Sequence, residues 1–221
     1  MPGPRSYDVH RVAARLTELG LEPDRLRYFA ASCAERAAPV LTCRAVLRRD
    51  PAAAALVAAS LPLLWTTAPP RLAEARGILD ELSTAYPPEP PPSAATFRPS
   101  EALTVRAIAL AVAVVRAAFE CYITPTPDRA AVAGAASYRA REEIARLVKL
   151  PADGDLPPRI AAQELDRQRT DMEVLSATAS SRRAAQRVAG PSQSAGAETA
   201  TVLMDLIANL AAAEGHRARD A

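Results

Sequence analysis

Apolar residues recur at helical spacing along most of this sequence. Near its start, Val9, Val12, Ala13, Leu16 and Leu19 follow the i, i+3, i+4, i+7 pattern of one face of an amphipathic helix. Similar patterns continue almost to the end of the sequence. They predict further helices over residues 24–47, 51–65, 70–83, 100–122, 127–150, 159–188 and 198–213.

Helix start and stop signals separate these segments. Asp50-Pro51 joins a capping acid to a proline in the first helical position, and Thr126-Pro127-Asp128 repeats that arrangement. Gly20 is placed to cap the end of the first helix. Proline inside a helical pattern predicts an interruption, because it lacks the backbone N–H and clashes with the preceding turn. We therefore expect divisions at Pro39, Pro62 and Gly190-Pro191, and a new helix capped by Ser100.

The composition favours helix over strand. Hydrophobic residues make up 49 % of the chain but aromatic residues only 4 %, so alanine, leucine and valine supply most of the apolar content. Alanine and leucine are strong helix formers, and alternating β-branched and aromatic runs typical of strands are missing from long stretches. The sequence therefore predicts an all-α fold, a bundle of about seven or eight helices.

A proline-rich segment divides the helical pattern near its middle. Six prolines lie within residues 87–99, where an extended or polyproline-like conformation is expected. This predicts an N-terminal helical region over residues 1–86, a linker over 87–99 and a C-terminal helical region over 100–221. The two regions either form separate halves or share one domain.

Cysteine usage and apolar runs bear on the compartment. Cys33, Cys43 and Cys121 are odd in number and form no CxxC pair, which is typical of buried thiols in a reducing compartment. The strongly apolar run over residues 107–115 is well short of the roughly 20 residues needed to cross a membrane. No secretory signal pattern opens the sequence. We therefore expect a cytoplasmic protein that does not enter a membrane.

Residue types for metal or covalent chemistry are scarce. His10 and His216 lack the Glu-x-x-His spacing of di-iron bundles, and Cys33 and Cys43 would not align on one helix. Neither a Gly-x-Ser-x-Gly nucleophile motif nor a glycine-rich phosphate loop occurs. The sequence therefore predicts no metal, no cofactor and no catalytic residues, and hence a function other than catalysis.

One group of acids supports an alternative hypothesis. Asp166 and Asp171, near Glu164 and Glu173, could hold Mg²⁺ in a helical enzyme. Arginines alternate with these acids, however, and such interleaving is typical of a solvated helix face with ion pairs. We favour the solvated face and keep a Mg-dependent enzyme as an alternative.

The most concentrated basic group consists of Arg182, Arg183 and Arg187. These side chains could contact a nucleic acid or an acidic protein surface. The net charge of the chain is only +2, which is weak for a nucleic-acid binder. We treat the three arginines as possible interaction residues, and a helical subunit that associates with nucleic acid as a further hypothesis.

A resemblance to a known family lies between Leu26 and Leu41. This segment, LRYFAASCAERAAPVL, resembles a helix of the all-helical immunity proteins of bacterial polymorphic toxin systems, in which an aromatic-Ala-x-x-Cys-Ala-Glu-Arg helix runs into a proline. The resemblance implies a protein that neutralises a cognate toxin by covering its surface, without a reaction or a cofactor. The leading hypothesis is therefore a protein-binding module.

The same segment can be interpreted from its helical spacing alone. Phe29, Cys33 and Ala37 share one stripe, which predicts that they pack in the core. Glu35 and Arg36 are expected to point away from that stripe.

Overall fold

The computed structural model of the protein describes residues 7–66, 70–86, 98–147 and 156–217. Within these ranges the chain forms α-helices and one short 3₁₀ helix, and no β-strand. The all-α, multi-helix bundle expected from the sequence is therefore confirmed. The helices are α1 (Val9–Glu18), α2 (Pro23–Ala37), the 3₁₀ helix (Ala38–Thr42), α3 (Arg44–Arg49), α4 (Pro51–Leu64), α5 (Leu72–Ala85), α6 (Pro99–Ile123), α7 (Pro127–Leu147), α8 (Leu156–Ala177) and α9 (Ser181–Arg217).

Local capping signals set several of these boundaries. The carboxylate of Asp8 accepts a hydrogen bond from the backbone N–H of Arg11 at 3.1 Å, and α1 begins at the next residue. Asp50 caps α4 in the same way, by accepting from the N–H of Ala53 at 3.0 Å. At the end of α1, Gly20 adopts the left-handed conformation, with φ of 60°. The predicted caps at Asp50 and Gly20 are confirmed.

Two expected interruptions are wrong. Pro62 lies inside α4 and Pro191 lies inside α9, and both helices continue through the proline. Each proline removes one helical hydrogen bond, but residues before and after the proline are buried against the rest of the bundle. Around Pro191, Val188 and Ser192 are both buried. Tertiary packing therefore offsets the local cost of the proline.

The actual break lies ten residues earlier, between α8 and α9. Residues 178–180 leave the helix, at a point where no proline or glycine occurs. The guanidinium of Arg25, on α2, donates to the carbonyls of Leu175 at 2.5 Å and Ser176 at 3.3 Å. Carbonyls at a helix C-terminus lack intrahelical donors, so this arginine stabilises the end of α8.

Helices α2 and α6 form the centre of the bundle. Helix α2 contacts α6, α7, α8 and α9, and α6 contacts α7 and α5 as well. Phe29 and Cys33 of α2 and Phe119 of α6 are fully buried in one hydrophobic core. This core includes residues from both sides of the proline-rich segment. Residues 87–97 of the predicted linker lie outside the described residues, so the predicted division into 1–86, 87–99 and 100–221 stays a prediction.

Helix α6 is long and largely apolar. An 18-residue stretch of it has a mean hydropathy of 1.9, which matches a membrane-spanning segment, but 61 % of that stretch is buried inside the bundle. It begins at Pro99 and not at a Ser100 cap. Ser100 instead donates through its N–H and its Oγ to the carboxylate of Glu214, at 2.8 and 2.7 Å. The end of α9 thus supplies the cap that the start of α6 needs.

The approach of α9 to α2 depends on Gly196. A Cβ at this position would lie 2.7 Å from the backbone oxygen of Glu35 and 2.8 Å from Cγ of Pro39. Both neighbours belong to rigid backbone or a proline ring, which cannot move aside cheaply. The missing side chain of Gly196 is therefore required for this contact, which also positions α9 against the buried polar residues described next.

Candidate functional site: a buried charged cluster and two surfaces

A cluster of charged residues lies between α2, α7, α8 and α9, with Arg36 at its centre. Arg36 is 1 % exposed, although it carries a guanidinium. Its Nε and Nη2 donate to the carboxylate of Glu164 at 3.0–3.1 Å. Its Nη1 donates to Asp171 at 2.5 Å and to the hydroxyl of Ser192 at 3.1 Å. One arginine of α2 thereby binds both α8 and α9.

Glu164 of α8 receives hydrogen bonds from four side chains. Besides Arg36, Nε of Arg141 lies 3.0 Å from its carboxylate. The hydroxyl of Ser137 donates at 2.8 Å, and Nε2 of Gln168 donates at 2.9 Å. Arg141 also donates to the hydroxyl of Thr199 on α9. The carboxylate is therefore fully buried and fully hydrogen-bonded, as a buried charge requires.

The charges of the cluster balance. Arg36 and Arg141 contribute two positive charges, and Glu164 and Asp171 contribute two negative charges. A buried ion pair is tolerated only when such pairing and hydrogen bonding compensate for the lost hydration. The cluster therefore holds four helices in register without carrying a net charge.

The two buried acids have shifted pKa values of opposite sign. Burial alone would raise the pKa of Glu164, but Arg36 and Arg141 outweigh that effect and hold its pKa below the ordinary value. Burial raises the pKa of Asp171 above its ordinary value. The ion pair with Arg36 offsets only part of this rise, because Arg36 is shared with Glu164.

Two expectations about these residues are wrong. Arg36 was expected to point away from the core and is instead its central charged residue. Asp171 was assigned to a solvated helix face and is 6 % exposed, whereas Asp166 is exposed and pairs with Arg169 at 3.1 Å. Each aspartate is paired with an arginine, Asp171 with Arg36 and Asp166 with Arg169, and the Mg-dependent alternative stays a prediction.

A signal for the buried face of α8 is present in the sequence. The buried positions Ala161, Glu164, Gln168, Asp171 and Leu175 follow the spacing of a single helical stripe, 3 and 4 residues apart in turn. The stripe begins and ends with apolar residues, so its polar members belong to the same inward face. Interleaved arginines at other positions hide this pattern when charges are read only in order along the chain.

The remaining candidates for chemistry do not come together. No group of three or more histidine, cysteine, aspartate or glutamate residues suited to a metal occurs within the described ranges. His10 is exposed, and the side chain of His216 lies outside the described residues. All three cysteines are buried free thiols, and burial raises the pKa of Cys43 to about 11 and that of Cys121 to about 12. Such thiols are poor nucleophiles.

The segment that resembles immunity proteins is largely buried. Phe29, Cys33 and Ala34 are inaccessible, and Ala37 is 8 % exposed, so the predicted core stripe is confirmed. The segment therefore packs the core and does not itself form a contact surface.

Comparison with known proteins adds no assignment. No family model matches the sequence, and neither a curated protein nor a solved structure matches it significantly. The function must therefore be inferred from the surfaces of the molecule.

A groove of about 1000 Å³ lies between α1 and α8. Val12 and Leu19 of α1 and Leu165 and Met172 of α8 supply its apolar part. Helix α1 packs mainly on α7, which leaves its side towards α8 open. Charged residues of both signs line the rest of the groove: Asp8, Arg11, Arg15, Glu18, Asp166, Arg169 and Glu173. We call this surface the α1–α8 groove.

The predicted basic residues form a second surface, which we call the arginine surface. Arg182, Arg183 and Arg187 are all exposed, on the first two turns of α9. None of them forms an ion pair with another residue of the described chain. Positive charge at a helix N-terminus opposes the helix dipole, so these arginines do not stabilise α9. Their exposure makes them accessible to a partner.

Proposed function

We propose that this protein is a non-catalytic helical module that binds a partner protein through the α1–α8 groove. The single observation that supports the proposal is the groove itself. It combines an apolar floor with a charged rim, which is the arrangement of a protein interface with an apolar centre and a polar edge. An amphipathic helix of a partner matches such a surface, because its apolar stripe can cover the half-buried Val12, Leu19 and Leu165.

The resemblance to immunity proteins supports a more specific form of this proposal. In that form the partner is a toxin, which is neutralised when the protein covers its surface. The buried charged cluster is compatible with such a role, because its balanced pairs make the groove wall rigid and leave little ordering cost on binding.

Whether a partner binds in the α1–α8 groove can be tested by comparing a substitution inside the groove with a matched substitution outside it. Ala14 lines the groove and Ala59 of α4 does not, and both are exposed alanines on a helix. A photo-reactive residue at position 14 identifies the protein that occupies the groove in its native host. With that purified partner, Ala14→Trp should weaken binding at least about tenfold, because the indole fills the groove. Ala59→Trp should leave affinity unchanged.

The outcomes separate the proposal from its alternatives. Equal binding by Ala14→Trp and Ala59→Trp would place the interface elsewhere. Cross-linking at position 14 that captures no specific protein would argue against a protein-binding function. For the immunity form, co-expression with the captured protein should protect cells, and Ala14→Trp should remove that protection.

The arginine surface favours a second candidate function, association with nucleic acid. Three exposed guanidinium groups within two helical turns are suited to phosphate contacts. If each group neutralises one phosphate, replacing all three by glutamine should reduce the slope of log affinity against log salt by about 0.9 per contact.

A matched control for this candidate replaces three exposed arginines on other helices, Arg48, Arg76 and Arg139. The measurement is the affinity for duplex DNA and for RNA at several salt concentrations. Loss of affinity in both triple variants would indicate nonspecific charge attraction. Binding that ignores salt, or that survives removal of Arg182, Arg183 and Arg187, would exclude this candidate.

A further inference from the structure

Helix α1 lies at the edge of the bundle. It packs mainly on α7, and Ala13 and Leu16 are its buried residues. At its C-terminal end the chain passes through Gly20, whose left-handed backbone can absorb a change of direction between α1 and α2. Because α1 forms one wall of the α1–α8 groove, its attachment to α7 determines the shape of that groove.

Tyr7 attaches the other end of α1 to the bundle. Its hydroxyl donates to the backbone carbonyl of Ala131 at 3.2 Å, and the centre of its ring lies 5.5 Å from that of Tyr138. Both of these residues belong to α7. Tyr7 also lines the groove, next to Asp8 at the start of α1. A single side chain therefore joins the start of α1 to α7 and borders the groove.

Tyr7 can occupy this position only because α7 has a glycine beneath it. A Cβ on Gly134 would overlap the hydroxyl of Tyr7 and would lie 2.7 Å from Oε1 of Gln168. The amide of Gln168 is held in place, since its Nε2 donates to the carbonyl of Gly134 at 3.0 Å and to Glu164 at 2.9 Å. A larger residue at position 134 would therefore displace Tyr7. We call the space over Gly134 the Tyr7 seat.

Tyr7 fills this seat but leaves one acceptor there without a donor. Oε1 of Gln168 is buried, and no residue of the described chain donates to it. Burial raises the pKa of Tyr7, so its hydroxyl keeps the one proton that it donates to Ala131. A buried acceptor without a donor costs free energy, and water can reach this oxygen once Tyr7 has left. Release of Tyr7 therefore removes part of its own cost.

We propose that Tyr7 is a latch for the α1–α8 groove. With Tyr7 in its seat, α1 is a fixed wall; when Tyr7 leaves, α1 turns about Gly20 and the groove opens. Helix α8, the opposite wall, stays in place because Arg36 binds it through Glu164 and Asp171. As a means of regulating partner binding, the latch rests on the proposed function, whereas the movement of α1 does not.

Hydrogen exchange of the full chain tests the latch without a partner. Gly134→Ala fills the seat and should displace Tyr7, so the backbone amides of α1 should exchange at least about tenfold faster. Amides of α2 and α6 should keep their protection, which also shows that the variant folds. Gly77 of α5 has no neighbour within 4 Å of an added Cβ, so Gly77→Ala is the matched control and should leave α1 unchanged.

A double-variant cycle shows whether the effect acts through Tyr7. Tyr7→Ala alone should also speed the exchange of α1, because it removes the contacts with Ala131 and Tyr138. The seat is then empty, so adding Gly134→Ala should speed α1 exchange by less than about twofold. If the two effects instead multiply in full, the alanine acts by displacing Gln168, and the latch is overturned.

The opening of the groove is measured as a distance between its walls. Nitroxide labels on Ala14→Cys and Glu173→Cys mark α1 and α8, and the three native cysteines are buried and should not react. The distance distribution should be narrow with Gly134 and should broaden to longer distances with Gly134→Ala.

Two results would overturn the inference. One is exchange of α1 only together with α2 and α6, and the other is a label distance that Gly134→Ala leaves unchanged. Both measurements use the free protein, so their failure is distinct from failure to capture a partner at position 14.

Discussion

Arginine occupies two opposite environments in this protein. Arg36 is enclosed by four helices, and its guanidinium is bonded to Glu164, Asp171 and Ser192. Arg182 lies at the exposed start of α9 and pairs with no other described residue. The first side chain is part of the folded core, and the second is available to other molecules. Residue type alone therefore does not indicate whether a charge serves the fold or a surface.

Substitution of the two arginines should separate these roles most clearly. Arg36→Met leaves Glu164 and Asp171 buried with too little positive charge, and should reduce the free energy of unfolding by about 3–5 kcal/mol. Arg182→Met should change it by less than about 0.5 kcal/mol. Urea unfolding of both variants measures the difference.

The cause of the large effect can be checked with a neutral double variant. Arg36→Met combined with Asp171→Asn leaves Glu164 paired with Arg141 and removes the excess negative charge. It should be more stable than Arg36→Met alone. If the double variant is the less stable of the two, the loss comes from packing and not from an uncompensated charge.

Glycine offers a second comparison between buried contact and open surface. A Cβ at Gly196 would meet the backbone of Glu35 at 2.7 Å, so Gly196→Ala should cost about 1–3 kcal/mol. Gly77 of α5 has no neighbour within 4 Å of the added Cβ, so Gly77→Ala should stabilise by about 0.5–1 kcal/mol. Thermal unfolding distinguishes them, and a loss of equal size at both positions would show that the close approach of α9 is not the cause.

The two buried acids should respond to pH in opposite directions. The folded-state pKa of Glu164 is lowered, so its ionised carboxylate adds to the free energy of unfolding above about pH 4.3. This stabilisation is lost as the pH falls through the lowered pKa. The folded-state pKa of Asp171 is raised, so the contribution of Asp171 to the free energy of unfolding declines as the pH rises from about 3.9 through the raised pKa.

Neutral variants of the two acids test how the stability of the protein depends on pH. The cost of Glu164→Gln should grow as the pH rises from acid towards neutral, and the cost of Asp171→Asn should shrink over the same range. Urea unfolding at several pH values tests both, with Glu198→Gln as an exposed control. Parallel slopes for the two buried acids would contradict the opposite shifts.

The smallest expected effect concerns the arginine surface. Arg182 lies in the first turn of α9, where negative charge interacts favourably with the helix dipole. Arg182→Glu should therefore raise the free energy of unfolding, by about 0.3–1 kcal/mol at low salt. The gain should disappear at high salt. Destabilisation would show that Arg182 supports the fold after all.

Much of the fold follows from local sequence signals. Asp50 caps the helix that it was expected to cap, and Pro127 begins α7. Each signal depends on chemistry within one turn of the chain. The helix break at residues 178–180 was missed because Arg25, which stabilises the end of α8, comes from a distant part of the sequence.

The buried charged cluster could not be predicted in the same way. Arg36 and Glu164 lie 128 residues apart, and no local pattern connects them. Glu35 and Arg36 are adjacent, yet Glu35 accepts a hydrogen bond from Trp65 at a partly buried position while Arg36 is enclosed. Arg182, Arg183 and Arg187 are exposed, whereas their role as interaction residues stays a prediction.

The distance in sequence between Arg36 and Glu164 also affects when the chain can fold during its synthesis. At about 5–20 residues per second, a ribosome adds the intervening residues in roughly 6–25 s. During that interval α2 has been synthesised, but the carboxylates that neutralise its central arginine do not yet exist. The apolar residues of α2 cannot close around a charge that lacks its partners. The buried cluster around Arg36 can therefore form only after α8 has left the ribosome.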